Sequence, residues 1–231
     1  MSKQIVILAA GMGTRLARPL PKPLTELSDG RSIMKQQIDN MKHAFGETFR
    51  LMIVVGFKLE AIIERFPEAT FVYNELYDQT NTSKSLLKAL KASGDGSVLW
   101  MNGDVVFDPE VLKRVTPEIE ADHSFVVVNT SKVSDEEVKY TLDDTGFINQ
   151  LSKTVVGGLG EAVGINHVAS ADKAALIARL EQVEDQDYFE RGIEVGIEKD
   201  ALRFKAIDIS DLYAIEVDFD EDLARANELF N

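Results

Sequence analysis

The 231-residue sequence contains no cysteine. That absence excludes disulfides, thiolate metal sites and cysteine nucleophiles together. Histidine is scarce as well: His43, His123 and His167 stand far apart and show no metal-ligand spacing. His43 falls in a helical segment, His123 in a loop, and His167 follows a strand in a structural position. Long apolar runs are missing, so nothing approaches the length needed to span a bilayer. The N-terminus lacks the basic stretch, apolar core and small-residue cleavage site of an export signal, and the expectation is a cytoplasmic protein with no membrane partner. Positive charge is in deficit, with 25 basic against 39 acidic residues and a net charge of −14. Such a balance argues against nucleic acid as the main partner, which requires a basic surface. A polyanionic ligand would have to be met by local cations and a metal ion, whereas a cationic ligand would suit the overall field. An acidic surface serving solubility alone fits equally. Tryptophan occurs once, as Trp100, inside an apolar strand pattern that assigns it to core packing.

What is present is a regular alternation. Apolar runs at Ile5–Ala10, Leu51–Val55, Thr70–Tyr73 and Val98–Met101 read as strands. Helical patterns separate them: one capped by Ser32 and running to about Ala44, one over Leu59–Phe66, and one over Ser83–Ala92. Continuous apolar strands interleaved with amphipathic helices predict a Rossmann-like α/β fold, with a mostly parallel sheet covered by helices on both faces. The second half is less regular. It suggests a strand at Ser124–Asn129, a hairpin of Val138–Leu142 with Phe147–Leu151, and a strand at Ala162–His167 after a glycine-rich loop. Helices at Ala171–Gln182 and Tyr188–Ile197, strands near Phe204–Ile207 and Tyr213–Ile215, and a last helix from about Glu221 complete it. No linker, repeat or low-complexity run interrupts the chain. The expectation is one compact domain over residues 1–231, with a nucleotide-binding half at 1–110 and an acceptor-binding half at 111–231. Ligands of such sheets sit outside the carboxyl ends of the strands, where Gly11, Asn74 and Asp104 all arrive.

The most specific segment follows the first strand: Leu8-Ala9-Ala10-Gly11-Met12-Gly13-Thr14-Arg15, then Pro19-Leu20-Pro21-Lys22-Pro23-Leu24. No acidic residue stands between Gly11 and Leu24. Glycines let backbone N–H groups approach a phosphate closely. Arg15 adds a fork of donors and Lys22 a point charge. Prolines on both sides of Lys22 restrict φ and predict an extended loop. Together these features propose a triphosphate cradle. A dinucleotide fingerprint would need a third glycine where Leu16 stands, and a conventional P-loop would end in Gly-Lys-Ser/Thr; neither pattern is present.

The segment resembles the signature loop of the nucleotidyltransferases that make sugar nucleotides and CDP-alcohols, G-x-G-T/S-R followed by P-K-P. That resemblance implies that Ala9, Ala10, Gly11, Gly13, Thr14 and Arg15 hold the nucleotide, and that Arg15 and Lys22 are catalytic. It also implies Mg²⁺ on Asp104, which follows Gly103 at a strand end, and on Asp218 of Ile215-Glu216-Val217-Asp218. Alternation points Glu216 and Asp218 to the same side, with Glu216 in a supporting place. Asn81-Thr82-Ser83 replaces the Gly-Thr-Ala turn usual in the sugar branch and is similar to the asparagine-rich stretch of choline-phosphate cytidylyltransferases. These side chains both donate and accept, so they could read a cytosine edge, or Thr82 or Ser83 could cap the helix that follows. Gly160-Glu161-Ala162-Val163-Gly164 and Asp187-Tyr188-Phe189-Glu190 likewise resemble family segments, and make Glu161, Tyr188 and Glu190 acceptor-site candidates. Tyr188 and Glu190 share a pocket only if the helix begins there or bends; otherwise Tyr188 packs in the core. Many such relatives carry a hexapeptide-repeat domain, which this sequence lacks, so a catalytic core alone is expected. The implied reaction is transfer of CMP from CTP to a phosphorylated small alcohol such as phosphocholine. A sugar-1-phosphate nucleotidyltransferase using UTP, dTTP or GTP is the alternative, and a non-catalytic nucleotide-binding module the third.

Overall fold

The computed structural model describes residues 2–16, 18–131, 133–134 and 137–230. Its strands are β1 (Lys3–Ala9), β2 (Phe49–Val55), β3 (Thr70–Tyr73), β4 (Val98–Asn102), β5 (Val105–Phe107) and β6 (Phe125–Asn129). The later ones are β7 (Lys139–Leu142), β8 (Ile148–Ser152), β9 (Glu161–Val168), β10 (Lys205–Asp208) and β11 (Ala214–Glu216). The helices are α1 (Ile33–Phe45), α2 (Leu59–Arg65), α3 (Thr82–Ala92), α4 (Pro109–Glu120), α5 (Lys173–Gln182), α6 (Phe189–Asp200) and α7 (Asp220–Glu228).

The pleat of β1 explains the layering. Ile5, Ile7 and Ala9 enter a core shared with α1, α2 and α4, while Val6 and Leu8 enter a second core shared with α3, α5 and α6. A strand buried on both faces must be apolar at consecutive positions, which is why its sequence does not alternate. The main sheet has the order β10-β6-β9-β4-β1-β2-β3, with β7 and β8 attached at β9. Pairings β4-β1-β2-β3 and β6-β10 are parallel, as expected, but β9 runs antiparallel to both β4 and β6. Strands from both halves of the chain therefore form one continuous sheet. Because β9 is reversed, its first residue Glu161 lies opposite Asn129, the last residue of β6. Glu161 thus reaches the carboxyl edge of the parallel strands from the other direction.

Most expected elements are present within a few residues. Ser32 caps α1, accepting from the Lys35 amide at 3.2 Å. Two elements go unread in the sequence, β5 and α4. Asp108-Pro109 is a helix start with a physical basis: the Asp108 side chain accepts from the Glu110 amide at 2.9 Å, and Pro109 occupies the first turn where its missing donor costs nothing. β5 pairs with β11 antiparallel in a separate two-stranded sheet over a small core of Leu16, Leu27, Ile33, Val106, Val217 and Ala226.

His167 is a core residue, as expected. It is 1% exposed, stacks on Phe125 at 5.2 Å, and its Nδ1–H donates to the His123 carbonyl at 2.7 Å. Burial pushes its pKa down. The unfolded chain, with an ordinary histidine pKa of about 6.5, then binds the proton more readily than the folded one, so this contribution is intact above that pH and is lost as pH falls below it. Urea denaturation at pH 5, 6 and 7 should show wild type losing up to about 1.4 kcal/mol per pH unit relative to His167→Gln across that window. Parallel pH dependence of the two proteins would contradict this assignment.

Candidate active site

The loop leaving β1 folds back on itself. Gly13 has φ +59°, and a Cβ there would lie 3.1 Å from the Lys22 Cβ, so the loop's two halves meet where only glycine fits easily. Lys22–Leu24 forms a single 3-10 turn, closed by the Leu24 amide donating to the Pro21 carbonyl at 2.8 Å and the Thr25 amide donating to the Lys22 carbonyl at 2.9 Å. This corrects the expected extended loop: the φ that proline enforces suits 3-10 geometry as well as an extended chain. The turn also packs against the end of β4. A Cβ on Gly103 would lie 2.9 Å from both the Leu8 carbonyl oxygen and Pro23 Cγ. Lys22 is thereby delivered, buried, beside Asp104.

Asp104 leaves β4, while Asp218 follows β11 more than a hundred residues later. The β5–β11 pairing joins them, and the Val217 amide donates to the Asp104 carbonyl at 2.9 Å. Asp104, Glu216 and Asp218 each offer a carboxylate oxygen, all within 4.8 Å of one another. Lys22 Nζ donates to Asp104 Oδ2 at 2.9 Å and to Asp218 Oδ1, and Arg15 pairs with the other Asp218 oxygen. Burial works to lower the Lys22 pKa, but the two aspartates outweigh it and the pKa is raised. Burial and the neighbouring charges of Asp104 and Asp218 push Glu216 well above the carboxylate range. Glu216 therefore belongs to the cluster itself, closer than its sequence position suggested. Asp218 does not cap the last helix. Asp222 does, its Oδ2 accepting from the Phe219 amide at 2.8 Å and the Asp218 amide at 3.1 Å, which frees the Asp218 carboxylate to face Lys22.

A cavity of about 1150 Å³ opens over this cluster along the carboxyl edge of the sheet. Its walls include Ala9, Gly11, Gly13, Thr14, Arg15 and Lys22. Ala10 and Ser83 do not line it: Ala10 turns into the core with Val54 and Leu86, and Ser83 is fully buried. Asn81 and Thr82 do line it while also holding structure. Asn81 is the cap of α3, its Oδ1 accepting from the Thr82 amide at 2.8 Å, and Thr82 Oγ1 accepts from the Phe189 amide at 3.1 Å. That last bond fixes the start of α6. With the helix beginning at Phe189, Tyr188 and Glu190 both line the cavity, as does Glu161. Sequence reading missed two further residues there, Glu137 and Lys153. Neither stands in a motif; only the folding of β7 and β8 against β9 brings them in. Lys153 Nζ sits over the Tyr188 ring, 4.8 Å from its centroid. Burial, then repulsion from Glu161, raises the Glu137 pKa. Burial, with repulsion from Glu137, carries Glu190 to about 7 against the pull of Lys153.

The donor set of the acidic cluster is all hard oxygen, suited to a small divalent cation and not to soft metals. Asp104 Oδ1 is buried with no partner, an acceptor that a cation would satisfy. The residues present thus fit a divalent ion, with the Lys22 ammonium standing in as counter-charge.

Residues 5–194 match the family described as the MobA-like NTP transferase domain. Among curated proteins, the chain is 26% identical to the CMP-5'-(3-aminopropyl)phosphonate synthase of Streptomyces rubellomurinus, across 98% of this chain and 38% of that protein. It is 32% identical to a UTP–glucose-1-phosphate uridylyltransferase of Haloferax volcanii, across 66% of this chain and 64% of the relative. The chain therefore spans only about four- to six-tenths of these relatives' lengths. Among solved structures, the CTP:phosphocholine cytidylyltransferase of Streptococcus pneumoniae superimposes with a TM-score of 0.79 over 100% of both chains at 17% identity, a likeness of fold.

Replacing Lys22 with Met removes the counter-charge of three adjacent carboxylates. Urea denaturation in EDTA should show a loss of about 2 kcal/mol, below the range for fully buried pairs because Asp104 and Asp218 keep side-chain exposures of 20% and 15%. Millimolar Mg²⁺ should then stabilise the variant more than the wild type. Equal stabilisation of both would mean that the cation binds elsewhere.

Proposed function

We propose, from the premise that this chain belongs to the MobA-like NTP transferase domain family, that it transfers CMP from CTP to a phosphorylated small alcohol such as phosphocholine, releasing pyrophosphate. The observation that carries this reading is one cavity lined both by a cationic glycine loop with an acidic cluster and by Glu161, Tyr188 and Glu190. Residues 1–110 supply the nucleotide end and residues 111–231 most of the acceptor end.

A phosphate oxygen of the acceptor attacks the α-phosphorus, and the bond from that phosphorus to the oxygen bridging to the β-phosphate breaks. The attacking group is already ionised at neutral pH, so no general base is needed and catalysis rests on alignment and charge neutralisation. The backbone of Gly11, Gly13 and Thr14 cradles the β- and γ-phosphates. Arg15 stabilises the departing pyrophosphate, and Lys22 sits by the α-phosphate or the incoming phosphate. Both cations are held on Asp218 in the free chain, so they exchange a carboxylate partner for a phosphate one as the nucleotide enters. Asp104 and Asp218, with Glu216 beside them, would hold a divalent ion such as Mg²⁺, which would supply charge neutralisation to the phosphates. Asn81 and Thr82 read the base; Ser83, buried behind them, supports their positions.

The acceptor end favours a cation. Three of its side chains are glutamates, and a ring face beside carboxylates attracts ammonium groups. The Streptomyces relative is named for a cytidylyl product carrying an amine. The Haloferax relative's name supports the second reading, a sugar-1-phosphate nucleotidyltransferase. A non-catalytic module is disfavoured by the joint presence of Arg15, Lys22, Asp104 and Asp218.

Pyrophosphate release should be measured with four nucleoside triphosphates crossed with phosphocholine, inositol phosphate and hexose 1-phosphates, with and without Mg²⁺. Turnover is expected with CTP and phosphocholine and only with the metal. Turnover restricted to a hexose 1-phosphate would transfer the assignment to the sugar branch. In the productive pair, Lys22→Ala should lower kcat on the order of 10²–10³-fold, as for removal of other preorganised charges.

A further inference from the structure

The acceptor end of the cavity carries more acceptor atoms than aromatic surface. Glu137, Glu161 and Glu190 all line it. Glu161 already accepts from the Ser134 amide. Glu190 is 7% exposed, and its Oε2 is wholly buried with no hydrogen-bond partner. A buried carboxyl oxygen left unpaired is costly, and an N–H donor on a bound ligand would satisfy it. Burial also raises the Glu190 pKa to about 7, so a cation at this seat would find a group ready to take up charge.

Aromatic surface is limited to one face. Among the rings lining the cavity, Phe189 packs edge-on against Trp100 at 5.6 Å, Phe219 faces Arg15 at 5.9 Å, and Tyr77 tilts against Phe57 at 6.5 Å. Tyr213 packs on the small core beneath β11. Tyr188 alone stands with the glutamates, and what lies on it is itself a primary ammonium, that of Lys153. The Lys153 ammonium lies on that ring and is also attracted by the charges of Glu137 and Glu190, so it occupies the seat that a ligand's ammonium would take.

Resting on the cytidylyl-transfer reading, we infer that the acceptor's head is a primary ammonium and not a quaternary one, bound by Glu190 and Glu137 against the Tyr188 face. A quaternary ammonium has no N–H to give and relies on a cage of rings; this seat has one ring and unsatisfied acceptors. Glu137 and Lys153 become specificity-determining residues, Lys153 marking the place that the ligand's head takes. A site built to receive N–H donors discriminates strongly against the analogue that lacks them.

The test uses the full chain with CTP and Mg²⁺ and an acceptor series losing one N–H at each step: phosphoethanolamine, its N-methyl and N,N-dimethyl derivatives, and phosphocholine. The specificity constant kcat/KM should fall at least tenfold from first to last, chiefly through KM, and calorimetric binding should follow the same order. In Glu190→Gln the ratio should narrow toward unity. Glu137→Gln, at a half-buried position that tolerates the change, should narrow it too and keeps the test open if the first variant misfolds. Phosphocholine used as well as or better than phosphoethanolamine would overturn the inference and leave cytidylyl transfer standing. A preference undiminished in folded variants would also overturn it. No turnover with any member of the series would remove both readings.

Discussion

The ammonium of Lys22 lies between Asp104 and Asp218, and the rest of the site is arranged around that contact. Three carboxylates within 4.8 Å repel one another strongly in a half-buried setting, and the lysine between two of them offsets that repulsion. The lysine reaches them only because Gly13 and Gly103 leave room for the Pro21–Leu24 turn to press against β1 and β4. The same contact gathers three stretches of chain remote in sequence, so loop, strand end and C-terminal segment are positioned together. The loop's charges are stored on the carboxylates that a divalent ion would otherwise occupy.

The second constraint is the reversal of β9. A fully parallel sheet would have placed Glu161 at the far edge, away from Asp104. Inserting an antiparallel strand between β4 and β6 turns its first residue toward the ligand edge, and β7 and β8, attached there, carry Glu137 and Lys153 with them. The start of α6 completes the wall. The Thr82 hydroxyl accepts from the Phe189 amide, so a residue of the candidate base-reading stretch also fixes where Tyr188 and Glu190 stand. That bond ties the start of α3 directly to the start of α6.

Much of this was legible in the chain before any coordinates. Short unbroken apolar runs flanked by helical patterns suit strands covered on both faces, so β1, β2 and β4 followed from pattern and length. The glycine, arginine and proline-flanked lysine pattern identified the cationic loop, because few other uses need that chemistry at that spacing. Asp104 followed from its place after an apolar strand and a glycine. By contrast, Ala10 and Ser83 stand next to residues that line the cavity, but side-chain direction sends both into the interior. The Asp218 carboxylate stays free for Lys22 because Asp222 caps the last helix, reaching back three and four residues.

Local sequence thus determined which segments are strands and helices and which loop carries positive charge, because these depend on periodicity, turn chemistry and neighbours a few residues apart. Tertiary structure alone decided that Glu216 joins the two aspartates, that Glu137 and Lys153 face Tyr188, and that one buried glutamate oxygen has no partner. Those outcomes depend on strand order, on the direction of β9 and on an antiparallel pairing between residues a hundred positions apart. No short-range pattern encodes such pairings, since many registers would bury the same apolar surface and only the packed whole selects among them.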